Sequence, residues 1–355
     1  MVKTTNSDLQ KLLDNEIQKK HTHSVLLGIQ SKDSQLDFAG AAGNVEYDNP
    51  YFIASITKMY TTARLMQLVD NKLLDLDAPL TTYLPPDLID GVHVYKGVDY
   101  SHQLKVYQLM HQTSGLADYF EDKPQNGDSL MDGLKQGKDR EYATSDVMAM
   151  VRNMKPKFAP DANNGRKSHY SDTNYQLLGA IIESITGKSL ADNFHTHIFD
   201  HCGLEQTYLY DHKMLRDGQQ PIPFYNKDQV MVIPKTMSSV GPDGGIVSTL
   251  PESLAFLRAY FEGKLFDSGH FDRMMARWNT VFFPIQYGYG LMRFQLPRIM
   301  TLFQYSPEFI GHFGSSGSFA FYAPKEELYI AGTLNQVDNA SRPFKFMLKV
   351  MNAVK

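Results

Sequence analysis

Cysteine is nearly absent: Cys202 stands alone among 355 residues. A single thiol excludes an internal disulfide and any cysteine-rich metal site, and it reads as a small buried hydrophobe compatible with a reducing compartment. An excess of either charge is also missing. With 35 Lys and Arg against 39 Asp and Glu, the formal net charge is −4, which attracts no polyanion, so no nucleic-acid partner is expected. No apolar run approaches the ~18 residues of a membrane span. The first segment, "MVKTTNSDLQKLLDNEIQKKHTH", sets leucine and isoleucine at helical spacing among charges and lacks the unbroken apolar core of a signal peptide. It reads as an amphipathic surface helix. The chain as it stands is expected to be cytoplasmic, and secreted or in the cell envelope if a signal peptide has been removed. There is no internal repeat and no low-complexity tract. There is also no G-x-S-x-G, which an α/β-type Ser-His-Asp hydrolase requires.

What is present is ordinary globular material, 42% hydrophobic and 21% charged, enough for one large domain or two intertwined ones. After the first helix, "SVLLGIQ" and "QLDFAGAAG" flank the polar turn "SKDS", a hairpin signal. From Ile56 to Leu74, Met59, Ala63, Met66 and Val69 recur at three- and four-residue steps, predicting a helix with one buried face that ends near Asp70 and Asn71. "LDLDAPLTTYLPPDL" is an irregular crossing segment. Further helices fit "LKVYQLMHQ", "TSDVMAMVRNM" and "TNYQLLGAIIESITG", the last closed by Gly187. Strand-like runs return late, in "GGIVST", "YGYGLMRFQ" and "SFAFYAPKEELYIAGTLNQ" with "PKEE" as its turn, before a helical "RPFKFMLKVMNAVK". The expected fold is α+β: an antiparallel sheet flanked by N- and C-terminal helices, built from residues 1–62 and 241–355, with a mostly helical domain inserted over 63–240.

Three short stretches could carry chemistry. In "YFIASITKMY", Ser55 precedes Lys58 by three residues at a helix start, where an oxygen sits in the positive end of the dipole and an N–H is unused by the helix. Lys58 shares that helical face, and burial would favour the neutral amine that a base near neutral pH requires. An N-cap serine with an exposed lysine fits the same ten residues. In "HYSDTNYQLLGAIIESITG", Tyr170 and Asp172 stand just ahead of an apolar helix, as catalytic groups or as a core aromatic with an Asp cap. In "GHFGSSGSF", Gly311 to Phe319, small residues let a substrate backbone approach and Ser315 could offer an N–H to an oxyanion; a glycine-rich strand entry is equally possible.

In this order the three resemble the serine β-lactamase and penicillin-binding protein superfamily, in its class C-like branch with esterases, D-aminopeptidases and DD-peptidases. Ser55-Ile56-Thr57-Lys58 matches S-x-x-K, Tyr170-Ser171-Asp172 matches Y-x-N, and His312-Phe313-Gly314 matches K-T-G or H-x-G. "KLLDLDAPLTTYLP", "LMHQTSGLADY", "GGIVST" and "YGYGL" also look like that family, so the resemblance covers nearly the whole chain. It implies an acyl-enzyme on Ser55, with Lys58 and Tyr170 moving its proton. It further implies backbone N–H groups of Ser55 and Ser315 holding the oxyanion, with Asp172, His312 and Gly314 at the substrate. No metal or organic cofactor is implied. Substrates would be a small ester, a D-amino-acid peptide or a β-lactam. Asp172 stands where asparagine is usual, and His312 where K-T-G has lysine, which removes a fixed charge for a substrate carboxylate. Both departures favour esterase or peptidase chemistry over β-lactam resistance; a true β-lactamase or DD-carboxypeptidase is the alternative. A non-catalytic binding or sensing homologue is the rival of another class. An alternative alignment on "SDT" would make Ser171 the proton relay.

Two further groups of residues lie outside these stretches. "FHTHIFDHC" holds His195, His197, His201 and Cys202, but on a helix these fall on different faces and match no metal spacing. Among Tyr119, Phe120, Tyr225, Trp278, Phe282, Phe283, Tyr287 and Tyr289, some are expected to line an apolar acyl pocket.

Overall fold

The computed structural model describes residues 5–214, 220–301 and 305–354. Thr5 opens the N-terminal helix, Asn6–Ile17, through a reciprocal capping box with Asp8, and Leu9 and Leu13 form its buried stripe. The hairpin follows as Ser24–Ser31 and Asp37–Gly43. These strands end an eight-stranded antiparallel sheet whose order is Asn279–Phe282, Ile285–Tyr287, Met292–Phe294, Phe309–Phe313, Ser318–Ala323, Leu328–Thr333, Ser24–Ser31, Asp37–Gly43. The two ends of the chain meet inside it, with Leu26 opposite Thr333 and Ile29 opposite Ile330.

Both faces of the sheet are covered. Val25, Leu27 and Ile29 pack with Leu9, Leu13, Phe346 and Val350 of the terminal helices Asn6–Ile17 and Arg342–Val354. Leu26 faces the other core, with Leu254 and Leu257 of the helix Leu250–Phe261. Gly28 lies on that second face, where a Cβ would stand 2.7 Å from Leu254 Cδ1. This double covering is why the run Val25 to Ile29 carries no polar side chain and does not alternate.

The middle of the chain forms the expected helices Val106–Met110, Thr144–Arg152 and Asp172–Thr186, the last closed by Gly187 at φ 64°. Three sequence readings need correction. "YGYGLMRFQ" is two strands, Ile285–Tyr287 and Met292–Phe294, because Gly288 N–H donates to the Leu291 carbonyl at 2.8 Å and closes a turn. "GGIVST" yields the strand Ile246–Ser248 in a separate three-stranded sheet, between Tyr51–Phe52 and Tyr208–Leu209. The helix Thr57–Asp70 buries far more than one face: Thr57, Lys58, Thr61, Thr62 and Arg64 are interior as well. Their polar groups are satisfied there, Thr61 Oγ1 donating to the Pro242 carbonyl at 2.7 Å and Arg64 Nε to Asn193 Oδ1 at 3.0 Å. This helix runs through position 62, and one hydrophobic cluster joins the sheet's second face to the helical part. Among the described residues, no helix is long and apolar enough to cross a membrane.

Candidate active site

The nucleophile candidate is delivered by a strained approach. The strand Tyr51–Phe52 is followed by Ala54 at φ +47°, a left-handed conformation that costs an alanine energy and must be enforced by its surroundings. The enforcement comes from the third motif: Ser316 Oγ donates to the Phe52 carbonyl at 2.8 Å and Ser318 Oγ to the Ile53 carbonyl at 2.7 Å. A single turn, Ala54–Ile56, then leads into the helix. Ser55 caps nothing; its Oγ accepts from Lys58 Nζ at 3.0 Å.

Lys58 has a fully buried side chain and three acceptors around Nζ. Besides Ser55 Oγ these are the Asp243 carbonyl at 2.7 Å and Asp172 Oδ1 at 2.6 Å, the last a close ion pair without the alignment of a hydrogen bond. Nζ also lies 5.2 Å from the ring centroid of Tyr170 and 5.3 Å from that of Tyr175. Tyr170 faces the same cleft as Ser55. Desolvation first, and the charge of Asp172 second, push this phenol well above its ordinary value, against the pull of Ser55. The structure thus brings Ser55, Lys58, Tyr170 and Asp172 together. Ser171 is turned away: its Oγ donates to the Ala117 carbonyl at 3.0 Å, so the alternative relay has no route to Ser55.

Two more carboxyls flank this group. Asp118 accepts the N–H groups of Asp172 at 2.9 Å, Phe120 at 3.2 Å and Glu121 at 3.1 Å. Asp243 accepts from the Tyr119 hydroxyl and from Gln176 Nε2, both at 3.0 Å. Burial, then the charge of Asp172, drives both Asp118 and Asp243 well above the carboxylate range. The site therefore holds three buried acids against one buried amine.

His312 does not line the cleft, contrary to expectation, because its side chain is fully buried. Nδ1 lies 2.6 Å from the Phe313 carbonyl, which fixes it as the donor, so Nε2 accepts from the Tyr287 hydroxyl at 3.2 Å. Tyr287 continues to Tyr175 at 3.2 Å and Tyr175 to Thr62 at 3.2 Å. Burial, then the Lys58 charge, holds the imidazole neutral, down to about 3. His111, also buried, is held down to about 4, chiefly by desolvation. Both folded-state values lie below the ordinary ~6.5 of an unfolded histidine. The stability they contribute is complete above that value and is lost as pH falls toward 4. Each then removes about 1.4 kcal/mol per pH unit, while Asp118 and Asp243, shifted upward, act with the opposite sign over the same window. Urea midpoints measured between pH 6 and pH 4 are expected to decline less, or rise more, in His111→Gln than in wild type, by one histidine's share.

Ser55, Tyr170, Asp172, Gly314 and Ser315 open onto one cleft of about 410 Å³. Its rim carries Asp122, which burial would raise but which hydrogen bonds from His169 and Lys157 hold at about 2. Gly314 is required by packing: a Cβ there would stand 2.1 Å from Ser318 Oγ and 2.4 Å from the Ile53 carbonyl. Gly314→Ala is expected to cost about 1–3 kcal/mol by overpacking and to displace Ser315 from Ser55. Thermal unfolding and ester hydrolysis measured together check this. Of the aromatics, Phe120 and Phe282 line the cleft, whereas Tyr119 and Tyr287 are buried behind it. Tyr225 stacks on His23, Trp278 lies against Arg293, and Phe283 and Tyr289 border other depressions. The histidines of "FHTHIFDHC" disperse, His195 to Asp200 at 3.1 Å and His201 to the Lys264 carbonyl at 2.9 Å. A larger depression of about 840 Å³ near Glu141 and Lys213 holds none of the motif residues.

Asp118 and Asp243 escaped the sequence reading. The only signal was their position inside "TSGLADY" and beside "GGIVST", the lesser family-like pieces.

A sequence model of the Beta-lactamase family matches residues 9–350. Among curated proteins, a teichoic acid D-alanine hydrolase of Staphylococcus aureus (strain MRSA252) is 25% identical over 241 residues, covering 68% of this chain and 53% of that protein. The chain thus spans about half the length of the curated relatives it matches. Among solved structures, a D-stereospecific amidohydrolase from Streptomyces sp. superimposes with a TM-score of 0.76 at 23% identity, over 96% of this chain and 98% of that one. The D-amino acid amidase from Ochrobactrum anthropi SV3 gives 0.78 at 22% identity, over 97% and 99%. At these identities the likeness establishes the fold.

Proposed function

The chain belongs to the Beta-lactamase family, and from that premise we propose that it is a serine hydrolase that forms an acyl-enzyme through Ser55 on small esters or amides, foremost those whose acyl group carries a free amine. The observation that carries this reading is the 3.0 Å contact between Lys58 Nζ and Ser55 Oγ, with the Tyr170 ring 5.2 Å from the same Nζ. Ser55 Oγ attacks the carbonyl carbon while its proton passes to Lys58 and Tyr170, which return it to the leaving group. The backbone N–H groups of Ser55 and Ser315 hold the oxyanion, and water then releases the acyl group. The sheet part supplies Ser55 and Ser315, the segment 63–240 supplies Tyr170 and Asp172, and substrate binds between them.

Charge supports the amine. Asp172 lines the cleft, the buried His312 is held neutral, and no lysine replaces it to meet a substrate carboxylate. A substrate ammonium is favoured there and a carboxylate disfavoured. The relatives agree in chemistry: a D-alanine hydrolase and a D-amino acid amidase are both named for amino-acid derivatives. The test compares kcat/KM for p-nitrophenyl acetate, D-alanine p-nitroanilide and nitrocefin, since discrimination is a ratio of those values. The ester and the alanine anilide are expected to exceed nitrocefin. A nitrocefin rate above both would make the protein a β-lactamase.

A further inference from the structure

Two hollows meet at Ser55. One is the open cleft of about 410 Å³; the other is a far smaller chamber of about 40 Å³. They share Ser55, Phe120, Asp172 and Ser315, so a carbonyl held at Ser55 has one substituent facing each. The two sides suit different halves of a substrate. A leaving group must depart and water must enter, which requires the open side. The acyl group must stay in place between the two steps, which the narrower side allows.

We propose that the small chamber is the acyl pocket, and that it accepts an acyl group with a side chain of one or two carbons and a free α-ammonium. This rests on Ser55 being the nucleophile. The chamber has about a tenth of the cleft's volume, so it suits the smaller half of the substrate. Its wall is apolar, with Met131, Leu134, Phe224, Met231, Met237 and Val240 among the lining residues, five of them on segments between 131 and 237 that no motif marks. All six are buried. The polar lining is Ser55, Ser315 and Ser316 together with two carboxyls, Asp172 and Asp243. Asp172 already pairs with Lys58 at 2.6 Å and Asp243 is held by Tyr119 and Gln176, so both are fixed in place. An ammonium one bond from the scissile carbonyl would lie beside them. Three methionines make the size limit adjustable, because unbranched thioethers repack readily and their truncation opens space.

The test keeps the leaving group constant and varies the acyl chain: p-nitrophenyl acetate, propionate, butyrate and hexanoate. Wild type is expected to lose about tenfold in kcat/KM per methylene beyond propionate. Met237→Ala and Met231→Ala, made separately in case one fails to fold, are expected to move the optimum to butyrate or longer. Phe282→Ala, in the open cleft, is expected to leave the order of chain lengths intact. D-Alanine p-nitroanilide is expected to exceed propionyl p-nitroanilide by tenfold or more, the two differing by the ammonium. A wild-type preference for hexanoate, an unchanged order in folded methionine variants, or equal rates on the two anilides would overturn the proposal while Ser55 still labels with a fluorophosphonate. Loss of labelling together with all turnover would instead remove the Ser55 reading on which it rests.

Discussion

Lys58→Met is expected to lower ester kcat/KM by about 10²–10⁴-fold, the range for losing a positioned acid–base group, and to destabilise the fold as well. The second effect follows from burial. Nζ has no solvent to return to, and its 2.6 Å ion pair is the main compensation for the Asp172 carboxylate. Removing one partner of such a pair costs about 3–5 kcal/mol. The two effects separate in Lys58→Met/Asp172→Asn, where the orphaned charge is gone: stability is expected to recover substantially and activity is not. Urea unfolding and ester kinetics on both variants check the prediction, and equal recovery of both would place Lys58 in a purely structural role.

Asp172→Asn alone changes what the site attracts. Two unit charges about 5 Å apart at an effective dielectric of about 20 interact by about 3 kcal/mol. Asp172 lies at the wall of an open cleft, so solvent reduces this, and about a 10- to 100-fold change is expected. D-Alanine p-nitroanilide is expected to lose that factor relative to the uncharged p-nitrophenyl acetate, while nitrocefin, which carries a carboxylate, gains relative to both. A uniform loss on all three would mean that Asp172 serves Lys58 and not the substrate. Asp118 and Asp243 respond in the same variant: with their negative neighbour removed, the upward push on both carboxyls is relieved in part, and the acid limb of the rate profile is expected to move.

The chemistry was legible in the sequence where it is local. Ser55 and Lys58 are one helical turn apart, and the spacing alone brings them together. Tyr170 is 115 positions away, and only the order of three motifs pointed to it. His312 shows the limit of such matching. It sits in the strand Phe309–Phe313, where period two sets it on the opposite face from Phe313. Phe313 reaches the cleft and His312 turns into the core. The helix Thr57–Asp70 was misread in one respect, because Thr61, Thr62 and Arg64 look exposed by type yet find buried partners that only tertiary structure provides. Asp243 was illegible for a similar reason: its hydrogen bond with Lys58 is through a backbone carbonyl, which any residue carries. The chamber wall gathers side chains from separate segments of the helical part, and no pattern along the chain links them.

The central claim is that Ser55 forms the acyl-enzyme. Incubating folded protein with a fluorophosphonate and mapping the adduct by mass spectrometry tests it most directly. One covalent adduct on the peptide containing Ser55, absent in Ser55→Ala, is the predicted result. An adduct on another serine, or none on correctly folded protein that still hydrolyses esters, would contradict the account.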